Sequence, residues 1–165
     1  MSTTTLSAQP DKLEQVTKPE IRLDYKVLTK DHVVDMAQLH AISYQDSGSS
    51  AASQLKLFWQ GAYGKILDQA SLGAWHNDRL VGVIIVLEKA PDEWCAPGES
   101  CEYPYIADLF VDPEYRRRGV ASGLVVKASQ AVAKLGRESL TLQLDITAAP
   151  EAMQLYEYLG FTSPE

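Results

Sequence analysis

Short segments of alternating apolar and polar residues run along the chain, and this period of two predicts strands at residues 21–28 and 139–146. The segments on either side of residues 76–79 predict a β-hairpin, because Asn77 and Asp78 tolerate the left-handed backbone of a tight turn. A further strand is predicted at residues 105–111, where Asp112-Pro113 ends the pattern.

Four segments with apolar residues at helical spacing predict helices. Gly61 and Gly64 fall inside the second segment and predict that it is divided into two pieces. Gly136 follows the third segment as a terminating residue, and Pro150 can open the fourth. The first helix is predicted to follow Thr29 or Asp31 and to end before residues 47–50, the second to cover about 51–70, and the third about 119–135.

The strand–helix–strand order across residues 105–146 predicts a parallel strand pair joined by a right-handed crossover. Together with the hairpin, it predicts an α+β (mixed α/β) fold with a central, mostly antiparallel sheet flanked by about four helices. Residues 1–20 are rich in Thr, Ser, Lys, Gln and Pro, and they are predicted to form a flexible N-terminal extension. Residues 21–165 are predicted to form a single domain.

Composition excludes several classes of protein. Hydrophobic residues make up 45% and charged residues 22% of the 165 residues, which is typical of a globular protein. The chain has no apolar run of about 18 residues and no signal-like N-terminus, so a cytoplasmic protein without a membrane partner is predicted. A net charge of −7, with one dense basic cluster, argues against a nucleic-acid partner.

The two cysteines, Cys95 and Cys101, lie in one turn-rich segment. We expect them to be incidental thiols, with a labile disulfide as the alternative. The histidines lie elsewhere in the sequence, so no metal site is predicted.

The segment that carries chemistry joins the strand at residues 105–111 to the next helix. Three successive arginines (residues 116–118) precede Gly119. A helix start has amide N–H groups without intrahelical partners and a partial positive charge, so it favours a polyanion. Gly119, Ala121 and Ser122 are small enough to let a phosphate approach the backbone. The spacing matches neither a Walker A nor a Rossmann loop, so a phosphate-bearing ligand is predicted, with a solvated arginine-rich loop as the alternative.

This segment resembles the acetyl-CoA-binding motif of the GCN5-related N-acetyltransferase (GNAT) family, Gln/Arg-x-x-Gly-x-Gly/Ala. Two further segments resemble the family's coenzyme strand and its second motif. The residues that carry the resemblance are Arg116, Gly119 and Ala121 for the motif, 109–115 for the strand and 152–161 for the second motif. The resemblance covers about residues 21–161 and implies a GNAT-like domain whose parallel strands splay apart, with acetyl-CoA as acyl donor.

The resemblance also implies roles for individual residues. The coenzyme strand would pair with the pantetheine arm as a peptide edge does, and the helix start would cradle the pyrophosphate. Tyr156 is implied as general acid toward the departing thiolate, because a phenol with a pKa near 10 is still protonated at pH 7. A tyrosine of the hydrophobic core is the alternative. The implied coenzyme-binding residues are Leu109, Phe110, Val111, Arg116, Arg117, Arg118, Gly119, Val120, Ala121 and Ser122.

Three features depart from the family's pattern. Ala107 stands where many relatives carry a carboxylate, so Asp108, Glu102 or a water chain is predicted to accept the proton instead. Ala149 stands where many relatives have an asparagine, which removes a coenzyme contact. The family usually continues into one or two strands after Phe161. Either the chain is shortened, or a partner subunit, as in a homodimer, supplies this side of the acceptor site, or the site is open.

These observations predict an N-acetyltransferase that moves an acetyl group from acetyl-CoA to a primary amine of a small molecule or peptide. Direct attack in a ternary complex is predicted, with the oxyanion held by a backbone N–H at a bulge in the coenzyme strand. The acidic loop at residues 92–102 is suited to a cationic acceptor, or is simply solvated. One alternative is a non-catalytic acyl-CoA-binding sensor or interaction module on the same fold, and another is a nucleotide-binding regulator.

Overall fold

The computed structural model describes residues 3–10, 21–44, 48–95, 102–145 and 150–162. In these ranges the chain forms a six-stranded sheet and four α-helices, which confirms the predicted α+β fold class. No helix of the described ranges is both long and apolar enough to span a bilayer. The elements are β1 (Thr3–Ala8), β2 (Asp24–Val27), α1 (Val33–Tyr44), α2 (Gly48–Trp59), β3 (Leu72–His76), β4 (Arg79–Leu87), β5 (Tyr105–Val111), α3 (Val120–Lys134), β6 (Leu140–Asp145) and α4 (Pro150–Leu159).

The sheet has the order β1-β6-β5-β4-β3-β2, and the predicted parallel pair is β5 with β6. All other neighbours are antiparallel. The parallel strands meet where Tyr105 lies opposite Thr141, and the Thr141 amide donates to Pro104 O at 2.8 Å. No later residue of β5 pairs with β6 within the described ranges, so a gap opens between the strands toward the end of β5. The splayed pair is therefore confirmed.

β1 corrects the prediction that residues 1–20 form a flexible extension. All six residues of this strand pair antiparallel with β6. Leu6 is fully buried, and Ser7 exchanges two backbone hydrogen bonds with Thr162, of 2.9 and 2.8 Å. A threonine-rich segment suits a strand because β-branched residues pack well on a pleated surface, and this signal was overlooked. Residues 11–20 lie outside the described ranges.

The position of β1 concerns the side of the sheet where the family usually adds one or two strands after Phe161. The edge of β6 that faces away from β5 is covered by a strand of the same chain. Thr162, just after Phe161, lies on the far side of that strand. An N-terminal segment thus provides the next strand of the sheet beyond β6.

Local signals explain where several elements begin and end. Thr29 caps the short turn before α1 through its side-chain oxygen, as predicted. Asn77 and Asp78 have φ angles of 51° and 67° at the hairpin turn. Gly61 and Gly64, with φ angles of 81° and 100°, follow the end of α2 at Trp59, so the second helical segment stops short of the predicted residue 70 and only a short 3-10 turn, Asp68–Ala70, follows it.

The start of α3 packs against β4 at a position that requires glycine. A Cβ atom on Gly82 would lie 2.7 Å from Val120 Cγ1 and 2.9 Å from Leu124 Cδ1. Carbon atoms in van der Waals contact are about 3.5–4.0 Å apart. Because Gly82 has no side chain, Val120 and Leu124 can both be buried against the sheet, and the first turn of α3 is held close to it.

Cys95 is disulfide-bonded. The expectation of two incidental thiols is therefore wrong for this residue, and the alternative of a disulfide applies. Cys101, the other cysteine of the chain, lies outside the described ranges.

Candidate active site

A buried carboxylate fixes the turn between β5 and α3. Asp112 is 1% exposed, and its Oδ1 accepts from the Glu114 amide at 2.9 Å while its Oδ2 accepts from Arg79 Nη2 at 2.7 Å. The Asp112 amide also donates to Val81 O at 2.9 Å. Charge-assisted bonds of this length are strong and directional. Asp112, which the sequence analysis used only to end a strand, therefore anchors the turn to the sheet.

The backbone before α3 contains two left-handed residues. Arg117 has a φ of 63° and Gly119 a φ of 83°. Arginine rarely adopts a positive φ, and such strained residues cluster at ligand sites. Alternating backbone handedness directs successive amide N–H groups toward one side and makes a concavity that binds anions. No side chain caps the start of α3, which fits a site whose anion comes from a ligand.

Aromatic and polar contacts hold two of the arginines in this turn. The Arg118 guanidinium lies 5.6 Å from the Tyr115 ring centroid, and Arg79 stacks on the same ring at 5.9 Å. Arg116 Nη2 donates to Ser43 O at 3.3 Å, which links the turn to the end of α1. The side chains of Arg116, Arg117 and Arg118 are all exposed, so they place positive charge around the backbone of this turn.

A β-bulge interrupts β5 beside the gap between β5 and β6. Asp108 lies opposite Ile85, and Ile106 lies opposite Val86, so Ala107 is the extra residue. A bulge leaves one residue out of the ladder and re-aims its neighbours. The predicted bulge is therefore present, and an oxyanion-binding role for its N–H remains a prediction.

The bulge also changes which face of the sheet each side chain reaches. Tyr105 and Ala107 pack with the core on the α1 and α2 side, whereas Leu109 and Val111 pack with the core on the α3 side. In a regular strand these four residues would share one face. The extra residue thus reverses the alternation at the point where the gap opens.

The charge of Asp108, next to the bulge in β5, acts on the hydroxyl of Tyr156. Tyr156 lies on α4 with 7% of its surface exposed, and its ring contacts that of Phe161 at 5.4 Å. Burial, and then the nearby Asp108 carboxylate, raise the pKa of the Tyr156 phenol. Both effects disfavour tyrosinate, so the hydroxyl keeps its proton at neutral pH. Two of the three predicted catalytic residues therefore share one site.

α1 adds side chains that the sequence analysis did not connect with this site. Tyr44 donates a hydrogen bond to Asp108 Oδ1 at 3.1 Å, and His40 Nε2 lies 3.9 Å from Asp108 Oδ2. His40 and Tyr44 are four residues apart, so a shared helix face was visible in the sequence. Their contact with Asp108 depends on the fold and has no local signal. Among the described residues, no group of three or more His, Cys, Asp or Glu side chains could hold a metal ion.

The edge that the resemblance assigns to the pantetheine arm faces α1. Leu109 O lies 3.5 Å from the Tyr44 hydroxyl, and Val111 O accepts from Ser43 Oγ at 2.9 Å. Each carbonyl oxygen has two lone pairs and keeps room for a second donor. Phe110 is 4% exposed and packs in the core, so it contributes no free edge.

Glu102 lies apart from this group. Its side chain is exposed, and it precedes the end of β5 where the parallel strands are paired. Its backbone carbonyl accepts from Arg137 Nη2 at 3.1 Å. The structure therefore does not bring Glu102 to Asp108 and Tyr156, because the gap opens toward the opposite end of β5.

An aromatic group lies at the paired end of β5. The Trp94 ring is 5.2 Å from that of Tyr63 and 6.0 Å from that of Tyr105. Gln143, on β6, donates to Trp94 O at 2.5 Å. This contact connects the acidic loop after β4 to the strand on the other side of the gap.

Comparison with known proteins supports the family that the motif suggested. The model of the acetyltransferase (GNAT) domain matches residues 41–165, which is more than half of the chain. The chain belongs to the GNAT family.

The most similar relatives are named as N-acetyltransferases. An uncharacterised N-acetyltransferase of Methanocaldococcus jannaschii is 27% identical over 138 residues, 84% of this chain and 60% of its own length. The N-alpha-acetyltransferase MAK3 of Arabidopsis thaliana is 36% identical over 90 residues, 53% of this chain and 42% of its own length. This chain therefore spans less than two thirds of either relative.

Solved structures share the fold. The aminoglycoside N-acetyltransferase AAC(6')-Iy, solved in complex with CoA, superposes with a TM-score of 0.67 at 16% identity. The match covers 91% of this chain and 94% of that protein.

Proposed function

We propose that the protein is an N-acetyltransferase that moves an acetyl group from acetyl-CoA to a primary amine of a small molecule or peptide. The observation that carries this proposal is the Asp108 carboxylate, which lies beside the bulge in β5, accepts a hydrogen bond from Tyr44 at 3.1 Å and raises the pKa of the buried Tyr156 phenol. Membership of the GNAT family and the N-acetyltransferase names of the relatives support it.

The residues at the start of α3 fit the diphosphate of a CoA molecule. The left-handed Arg117 and Gly119 shape the backbone, and a side chain at position 119 would fill the space that a phosphate needs. The amides of residues 117–122 would hold the diphosphate, and Arg116 and Arg118 would add charge. The carbonyls of Leu109 and Val111 would accept from the amides of the pantetheine arm. CoA supplies an acyl thioester, whose carbon is open to attack and whose sulfur departs as a thiolate.

Direct transfer needs one group that accepts a proton and one that donates a proton. The amine nitrogen bonds to the acyl carbon as the carbon–sulfur bond breaks. Asp108 takes the proton that the amine loses, directly or through water, and the Tyr156 hydroxyl donates a proton to the leaving sulfur. The raised pKa keeps the Tyr156 phenol protonated and available as a donor at neutral pH, and the proton that Asp108 accepts returns to Tyr156 through water, so the cycle leaves both groups as they began. A backbone N–H at the Ala107 bulge would hold the oxyanion.

The acceptor class rests on two kinds of relative. MAK3 is named an N-alpha-acetyltransferase, and AAC(6')-Iy is named an aminoglycoside N-acetyltransferase. Both names describe an amine as acceptor. A carboxylate at the gap suits either class, because an amine that is protonated in solution is attracted to Asp108 before transfer.

One observation favours a non-catalytic acyl-CoA sensor as the second candidate. Ala107 provides no carboxylate where many family members have one. A sensor would bind CoA without turnover.

The test is thiol release from acetyl-CoA across a panel of amines, amino acids and peptides. The proposal expects turnover with one class of amine and expects Tyr156→Phe to lower kcat about 100-fold while the Kd for CoA is kept. Tyr158→Phe is the matched control, because Tyr158 lies on the same helix with 62% of its surface exposed. CoA binding without turnover on the whole panel would favour the sensor, and tighter binding of ATP than of CoA would refute both.

A further inference from the structure

Four residues from three parts of the chain surround the Asp108 carboxylate. α1 contributes Tyr44 and His40, α4 contributes Tyr156, and the turn after β5 contributes Arg116, whose charge is felt at Tyr44. The hydroxyl of Tyr44 donates a hydrogen bond to Asp108 Oδ1 at 3.1 Å, which is shorter than the 3.9 Å between His40 Nε2 and Oδ2. The carboxylate of Asp108 is 18% exposed, so it is neither free in solvent nor sealed in the core.

The ring of Tyr44 is held so that its hydroxyl has a defined direction. It lies 4.4 Å from the His40 ring and 6.0 Å from that of Phe110, and these two rings meet each other at 5.0 Å. Aromatic contacts of this kind restrict the ring rotations. The hydroxyl can therefore hold the Oδ1 atom of Asp108, while His40 Nε2 lies 3.9 Å from Oδ2.

We propose that Tyr44 is a positioning residue that holds the Asp108 carboxylate in the orientation that accepts the amine proton. The inference rests on the proposed function. The same hydroxyl lies 3.5 Å from Leu109 O, on the edge assigned to pantetheine.

The first experiment compares Tyr44→Phe with the wild type and with Tyr158→Phe as control. A hydrogen bond to a charged group contributes enough that its loss should lower kcat/KM for the amine about ten- to a hundredfold. The Kd for CoA should change less than about threefold, because the Leu109 carbonyl remains. The acid limb of the kcat/KM profile should move to higher pH, because a donor that favours the charged carboxylate is lost.

A second experiment tests whether Tyr44 acts through Asp108. In an Asp108→Ala background, Tyr44→Phe should lower kcat/KM by less than about twofold, since residues that act as a unit are not additive. The carboxyl carbon of Asp108, followed by NMR during a pH titration, should titrate at higher pH in Tyr44→Phe than in the wild type.

The outcomes separate the inference from the function on which it rests. Wild-type turnover with an unchanged acid limb in Tyr44→Phe, or with losses that multiply in the double variant, would overturn the role of Tyr44 and leave the function standing. Absence of wild-type turnover on the whole panel would overturn both. An unchanged Asp108 titration in Tyr44→Phe would overturn the inference without reference to turnover.

Discussion

Replacing Gly82 with alanine tests whether the start of α3 is the coenzyme site. The new Cβ would lie 2.7 Å from Val120 and 2.9 Å from Leu124, and both of these side chains are buried. Ordinary carbon contacts are about 3.5–4.0 Å, so the first turn of α3 must move by about 1 Å or the side chains must leave their rotamers. Overpacking of this kind costs about 1–3 kcal/mol.

The expected result has two parts. A domain of this size loses about 2–4 °C in Tm per kcal/mol, so Gly82→Ala should lower the Tm by about 2–12 °C. A displacement of about 1 Å at a ligand site also weakens positioned contacts, and we expect the Kd for CoA to rise at least about tenfold. Scanning calorimetry measures the first quantity and titration calorimetry the second, below the Tm of the variant.

Gly73→Ala is the matched control. A Cβ there would lie 2.6 Å from the Trp75 ring and 2.9 Å from Leu28 Cδ2, which is similar crowding on the opposite face of the sheet. This variant should lose Tm and keep its affinity for CoA. If both variants lost Tm equally and both kept CoA affinity, the start of α3 would not be the coenzyme site. An unchanged Tm in Gly82→Ala would show that the packing argument itself is wrong.

Two other predictions concern stability. Leu6→Ala should lower the free energy of unfolding by about 2–5 kcal/mol, because Leu6 is fully buried. Val34→Ala, on the exposed face of α1, is the control and should change the free energy of unfolding little. Equal denaturant midpoints for the two variants would show that β1 does not pack on the core. Burial raises the pKa of Tyr105 to about 12 and also raises the pKa of Tyr156, so both hydroxyls keep their protons longer in the folded state than in the unfolded state. Their contribution to stability is fully present below pH about 10 and should be lost as the pH rises from about 10 through about 12, with circular dichroism and tyrosinate absorbance changing together. Tyrosinate formation at pH 10 in a protein that stays folded would contradict the burial of these residues.

Most of the fold could be predicted because its signals are local. The turn at Asn77 and Asp78, the glycines after α2 and the proline at the start of α4 each restrict the backbone where they stand. β1 was missed because the polar composition of residues 1–20 outweighed the short strand pattern within them. Its partner β6 also lies far away in the sequence. A strand of this kind is recognised only when its partner is known.

The candidate site likewise contains residues with a local sequence signal and residues without one. The helix start at Gly119 and the tyrosine of α4 follow from short motifs, so sequence reasoning found them. The contact between Tyr44 and Asp108 joins residues 64 positions apart, and no period or motif relates them. The left-handed conformation of Arg117 was also missed, because arginine gives no sign of a positive φ.

The place of β1 between β6 and Thr162 has a consequence for how the molecule assembles. During synthesis Thr3–Ala8 is made long before its partner strand β6, because the other strands of the sheet lie between them in the sequence. Pairings between such distant segments form slowly, and until then both strands expose backbone edges that favour association with other chains. Closing the sheet is therefore expected to be a late event, and the yield of soluble protein should respond to changes in Thr3–Ala8 more than its few residues would suggest.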